Sequence, residues 1–286
     1  MLGSFAALID LTVGDGDVFV GPVSPDRGSR IYGGQLLAQS LRAAQLTVPE
    51  NRDVHSAHSH FLKAGNAAEP VEMKVERIRD GRSFSQRQVV ASQSGSEIFR
   101  NLTSFHVREE GLEWQEPTKI NITQPTSNRP YTDYSDYVES VIPLRQKPWS
   151  GRQRPIDVRY INPPTRTDNQ PVTEPQLMWM RVQGQLEAKH SLHEVGLAYL
   201  ADLGMDANAV LPHGHRWGDD QLTVASLDHS MWFHRPARVD TWLFSNQRVE
   251  ATRGGRGMAS GRFYDTSGQL LATCMQEGLM RWSQQT

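Results

Sequence analysis

One order of segments occurs twice in this 286-residue chain, and that repetition limits what the chain can fold into. In the first half, "YGGQLLAQSLRAAQLTVP" at 32–49 sets Leu37, Leu41 and Ala44 at helical spacing, with Leu36 and Ala43 widening the apolar stripe. Four strand-like runs follow at 54–63, 70–79, 84–93 and 97–107, divided by the turn signals "KAGNAAEP", "RDGRS" and "SQSGS". In the second half "HSLHEVGLAYLADLG" at 190–204 is the helix, and the runs lie at 222–235, 239–250, 256–265 and 269–282. The turns correspond as well: Gly81 and Gly95 are 14 positions apart, as are Gly254 and Gly268. Short runs precede each helix, at 10–21 in the first half and at 157–162 and 175–184 in the second. The expectation is an α+β chain of two units, each a helix on an antiparallel sheet, at 1–107 and 155–286. A connection rich in Pro, Ser and Thr at 108–154 joins them. The two sheets are expected to pair into one continuous surface with the helices packed against it.

Composition removes several classes of function. A formal charge of -2 gives no general attraction to nucleic acid or to an anionic membrane, so an anionic ligand needs a local basic pocket. The single cysteine, Cys274, rules out an internal disulfide and a Cys-rich metal site. No G-x-S-x-G, P-loop, G-x-G-x-x-G or HExxH motif occurs. No run approaches the roughly 18 apolar residues of a membrane helix, and the start lacks a basic segment followed by an apolar run, so a cytoplasmic chain without membrane insertion is expected. His58 and His60 share a strand face, but two imidazoles do not make a zinc site, and they read as core or interface histidines.

The stretch "SLDHSMWFHR" at 226–235 concentrates Ser226, Asp228, His229 and His234 beside Trp232 and Phe233. Strict strand alternation puts Ser226, Asp228, Ser230, Trp232 and His234 on one face and Leu227, His229, Met231 and Phe233 on the other. Ser226 and His229 are then expected to face apart, and partners for Ser226 must come from elsewhere.

Five strings in order, "YGGQLLAQSL", "HSAHSHFLKAG", "RDGRSFSQRQV", "LDHSMWFHRP" and "QEGLMR", resemble the acyl-CoA thioesterase II family, whose fold is the double hot-dog. The resemblance spans nearly the whole chain outside the connection. It implies hydrolysis of fatty acyl-CoA to free acid and CoA without metal or organic cofactor. It also implies a site in which an Asp, a hydroxyl residue and a Gln hold and activate a water: Asp202 in "LADLG", Ser226 in "ASLDHS" and Gln276 in "MQEGLMR". Family members often carry Thr at the second place, so Ser226 departs from that pattern while keeping the hydroxyl.

These residues suit the implied chemistry. If Gly204 caps the second helix, Asp202 lies in its last turn, where the macrodipole disfavours negative charge, and burial adds to this; both push towards a general base. If the helix runs on through "DANAV", only burial acts, and an N-cap or solvated Asp is the plain alternative. Ser226 can donate and accept, and Gln276 can do both through its two ends. Direct attack by water and a Ser226 nucleophile both remain open. Gly33 and Gly34 open the first helix, where free N–H groups could hold an oxyanion; tight helix packing is the alternative. The arginines of "RDGRS" and "RGGRG" are either CoA phosphate contacts or solvated turn charges. Cys274, on the strand face of Gln276, reads as a small buried hydrophobe. Two further functions stay in view: a hydratase or dehydratase of acyl thioesters, for which His229 is the nearby imidazole, and a non-catalytic acyl-CoA-binding protein. The aromatic strands "MWF" and "TWLF" suggest a homodimer or homotetramer.

Overall fold

The computed structural model describes residues 4–23, 30–117, 132–133, 155–164, 169–219 and 221–282. Of the connection expected over 108–154, residues 118–131 and 134–154 lie outside these.

Alternation builds the strands. In β4 (Val71–Asp80), buried Val71, Met73 and Val75 alternate with exposed Glu72, Lys74 and Glu76, and β5 (Phe84–Gln93) alternates over its whole length. Such one-sided strands make a sheet with one covered and one wet face. The first half adds β1 (Thr12–Val13), β2 (Val18–Gly21), β3 (Arg52–Phe61) and β6 (Ser96–Val107). The second half supplies β7 (Thr132–Asp133), β8 (Ile156–Tyr160), β9 (Gln176–Val182), β10 (Leu222–Ser226), β11 (Asp228–Phe233), β12 (Leu243–Arg253), β13 (Arg256–Tyr264) and β14 (Leu270–Trp282). Their spatial order is β1-β2-β4-β5-β6-β3-β11-β14-β13-β12-β9-β8-β7, with β10 paired to β14. Read outwards from the junction of β3 and β11, the two halves follow the same course. At that junction Ser230 stands opposite His58 in an antiparallel pair, so the sheets do join into one surface. This is the double hot-dog arrangement that the resemblance implied.

Two central helices lie against the covered face. In α2 (Gly33–Gln45), eleven residues are buried, among them Gln35, Gln39 and Gln45. A helix buried nearly all round is a core helix, and its polar side chains need partners: the Gln39 amide donates to Leu8 O at 2.9 Å, at the end of the short α1 (Phe5–Leu8). Leu36, Leu37 and Leu41 are each at most 4% exposed, contributing about 2 kcal/mol apiece. The helix stops short of the expected residue 49 because the Thr47 hydroxyl and N–H both turn back to Ala44 O. In α3 (His190–Ala201) every residue from His193 to Ala201 is buried. Gly204, in the left-handed region at φ 83, breaks the helix, and the short α4 (Met205–Asn208) begins after it.

The run expected over 222–235 is not one strand. Ser226 pairs with Gly278 and Ser230 with Met275, so four steps on one strand face three on the other. Leu227 is the extra residue of a bulge; its N–H still bonds Glu277 O, and its carbonyl accepts from Phe61 N. The extra residue reverses the alternation beyond it. Ser226 and His229 therefore share the covered face, which corrects the expectation that they face apart.

Small residues let α2 and α3 meet. A Cβ on Gly34 would overlap Tyr199 O and the Tyr32 ring. Gly34→Ala is expected to lose about 2 kcal/mol through overpacking, lowering Tm by roughly 4–8 °C in thermal denaturation.

Candidate active site

Asp202 follows the last residue of α3, with helical backbone angles, and is 6% exposed. Its Oδ2 accepts a hydrogen bond of 2.8 Å from Gly34 N–H, in the first turn of α2. Its own helix end disfavours charge there, while the N-terminus of α2 favours it, so the two dipoles act on this carboxylate in opposite senses. Gly33 is needed for the approach, because a Cβ there would lie 2.7 Å from Oδ2 and 2.9 Å from the Phe61 ring. Close packing and presentation of helix N–H groups therefore coexist at 33–34, and one of those N–H groups is engaged by Asp202.

Ser226 and Gln276 meet directly. The Gln276 amide donates to Ser226 Oγ at 2.7 Å across the β10–β14 pair. Ser226 Oγ in turn donates to Asp206 Oδ2 at 3.5 Å. Gln276 is 1% exposed, and its Oε1 has no hydrogen-bond partner among the described residues. A buried acceptor of that kind favours a donor brought by water or substrate. Asp206, in the first turn of α4, is the residue sequence reasoning missed. No periodic signal marks it, because Gly204 breaks the helix between Asp202 and Asp206.

A cavity of about 460 Å³ lies over Asp202, Asp206 and Ser226, while Gln276 stands behind Ser226 and Gly34 behind Gly33, outside its wall. Gly33, Asp202, Asp206 and Ser226 line it together with apolar side chains such as Phe61 and Trp217. That combination, an apolar chamber with a few convergent polar groups, is what a ligand with an apolar tail and one reactive polar bond needs.

The remaining candidates fall outside the cavity wall. His229 is 1% exposed, and burial lowers its pKa to about 4, so it is neutral at pH 7. It does not line the cavity, which leaves the hydratase reading without its imidazole. Burial, with Asp202 adding to it, pushes the Cys274 thiol up to about 12, an inert buried group. His58 bonds Ser230 Oγ at 3.1 Å and meets the Trp232 ring edge-on, on the outer sheet face. Of the turn arginines, Arg256 is paired with Glu277 at 2.9 Å.

Residues 22–106 match the family described as "Acyl-CoA thioesterase N-terminal domain", and residues 154–279 match "Acyl-CoA thioesterase". The chain is 34% identical to acyl-CoA thioesterase 2 of Haemophilus influenzae over 99% of both chains. It is 35% identical to acyl-coenzyme A thioesterase 8 of Mus musculus over 88% of this chain and 80% of that one. Among solved structures, the acyl-CoA thioesterase II TesB2 of Mycobacterium marinum superposes with a TM-score of 0.76 at 33% identity, covering 97% of this chain and 98% of that one.

His229 carries a pH prediction. The native imidazole resists protonation down to about pH 4, whereas the unfolded one protonates near 6.5. The unfolded state takes up the proton first, so stability falls from about pH 6.5 to pH 4, by about 3 kcal/mol for a group this buried. Urea unfolding of wild type and His229→Gln at pH 7 and pH 4 is expected to show a smaller acid loss in the variant; equal losses contradict it.

Proposed function

The chain belongs to the acyl-CoA thioesterase family, a family of thioester hydrolases, and on that premise we propose that it hydrolyses fatty acyl-CoA with a water held by Asp202, Ser226 and Gln276. The observation that carries the residue assignment is the chain of contacts from buried Gln276 through Ser226 to a cavity that Asp202 also lines. Ser226 Oγ, held in place by the Gln276 amide, accepts one hydrogen of the water, and Asp202 takes the other as the oxygen attacks the thioester carbonyl. The charge that develops on the carbonyl oxygen is held at the start of α2. Gly34 N–H is committed to Asp202, so we assign that donation to Gly33. The C–S bond then breaks, and the CoA thiolate leaves and takes up the proton from Asp202. The apolar part of the cavity receives the acyl chain.

Ser226 is a positioning group in this reading, since its hydroxyl already donates to Asp206 and accepts from Gln276. No helix among the described residues is long and apolar enough to cross a membrane, and we place the reaction in the cytoplasm, in fatty acid metabolism. "TWLF" is largely covered within the chain: Phe244 is 1% exposed, and Arg181 lies over the Trp242 ring at 4.5 Å. Trp232 and Leu102 remain open on the outer sheet face, and we assign that face to a second copy of the chain in a homodimer or homotetramer.

Release of free thiol from a medium-chain acyl-CoA tests the function; an enoyl or hydroxyacyl product, or no turnover, overturns it. Gln276→Ala and Ser226→Ala are each expected to lower kcat roughly 10- to 100-fold, the worth of one hydrogen bond to the reacting water. Mass spectrometry of the rapidly quenched enzyme is expected to show no acyl adduct; an adduct on Ser226 would make that residue the nucleophile.

A further inference from the structure

A second cleft, of about 770 Å³, lies at the other end of the helix pair and is not used by the hydrolytic reading. The internal duplication relates it to the first. Gln45, the last residue of α2, reaches the first turn of α3 and donates to Ser191 O at 3.0 Å and to Glu194 Oε2 at 2.8 Å. Asp202 reaches from α3 to the first turn of α2 in the same way. On the strands, Val54 opposes Phe105 as Ser226 opposes Gly278, and an extra residue follows at 55 as at 227. Thr103 precedes Phe105 by two positions, as Gln276 precedes Gly278. The counterparts of the carboxylate, alcohol and amide are therefore Gln45, Val54 and Thr103, which hold no base. This cleft therefore does not repeat the constellation at the other end.

It holds a different group. Asp53 from β3 and His190 and Glu194 from α3 each offer one ligand atom, and all three atoms lie within 4.8 Å of one another. His190 Nε2 is 3.3 Å from Glu194 Oε1 and 3.9 Å from Asp53 Oδ2. We propose that Asp53, His190 and Glu194 bind a divalent transition cation, Zn²⁺ in the first instance, that ties β3 of one unit to α3 of the other.

Spacing and donor type support this. His190 and Glu194 are four residues apart and so share one helix face. A cation holding N and O ligands at about 2.0–2.2 Å in a tetrahedron sets them roughly 3.4 Å apart; His190 and Glu194 stand at 3.3 Å already, and Asp53, 3.9 Å from His190, closes by a few tenths of an ångström. One imidazole with two carboxylates suits Zn²⁺ better than Ca²⁺ or Mg²⁺, which prefer oxygen alone.

The neighbours orient these ligands. Arg108 donates to both Asp53 oxygens, at 2.6 and 2.7 Å. Each carboxylate oxygen keeps a further lone pair, so the guanidinium fixes the carboxylate without consuming it. Gln45 does the same at Glu194 Oε2, the Val54 N–H also donates to that carboxylate, and Oε1 lies 3.3 Å from His190 Nε2. The cleft itself, whose wall includes His55, His106 and His234, gives entry and room for a fourth ligand or water.

The test is calorimetric titration of the chelator-stripped full chain with ZnCl₂, with Co²⁺ absorption as the spectroscopic reading. One Zn²⁺ per chain is expected, together with a Co²⁺ visible band and a Tm that rises with added Zn²⁺. His190→Ala and the near-isosteric Glu194→Gln are each expected to weaken binding roughly 100-fold or more and to remove the Tm rise, with acyl-CoA hydrolysis unchanged. Absence of saturable binding in the wild type overturns the proposal, as does binding of unchanged affinity in both variants.

Discussion

The hydrogen bond from Gly34 N–H to the Asp202 carboxylate joins the start of one unit's helix to the end of the other's, and the candidate active site is assembled around it. A charged, buried bond of this kind is worth about 1.5–3 kcal/mol. It forms only because neither Gly33 nor Gly34 carries a side chain. The same bond sets the carboxylate at the wall of the apolar cavity. Packing between the units and the chemistry of the site are thus one constraint seen from two sides.

Duplication accounts for the presence of two clefts, and local sequence accounts for their divergence. Where one end of the helix pair carries Asp202, Ser226 and Gln276, the other carries Gln45, Val54 and Thr103, with Asp53, His190 and Glu194 added beside them. A fold built from two similar units need keep only one reactive centre. The other end is then free to acquire a role in holding the units together.

Most of the fold was legible because its elements are locally determined. The expected β5 run of 84–93 is the observed strand, since strict alternation between two turn signals leaves no other register. The start expected at 239 for β12 moved to Leu243 because Thr241 N–H turns back to Arg238 O. The bulge was not legible, since Leu227 fits either phase of an apolar strand, and with it went the facing of His229. Asp202, Ser226 and Gln276 were named through family resemblance, not through spacing. Asp206 escaped because it lies beyond Gly204, where the helical pattern stops. The Asp53, His190 and Glu194 cluster depends on how the two units pair, and no local pattern encodes that pairing.

The central claim is that Asp202 is the base. Asp202→Asn keeps an acceptor for Gly34 N–H and removes only the capacity to take a proton, so kcat for thiol release from acyl-CoA is the direct measurement. The account predicts a fall of about 10²- to 10⁴-fold with KM and Tm close to wild type. A kcat within about threefold of wild type, less than 1 kcal/mol in the barrier, would contradict it.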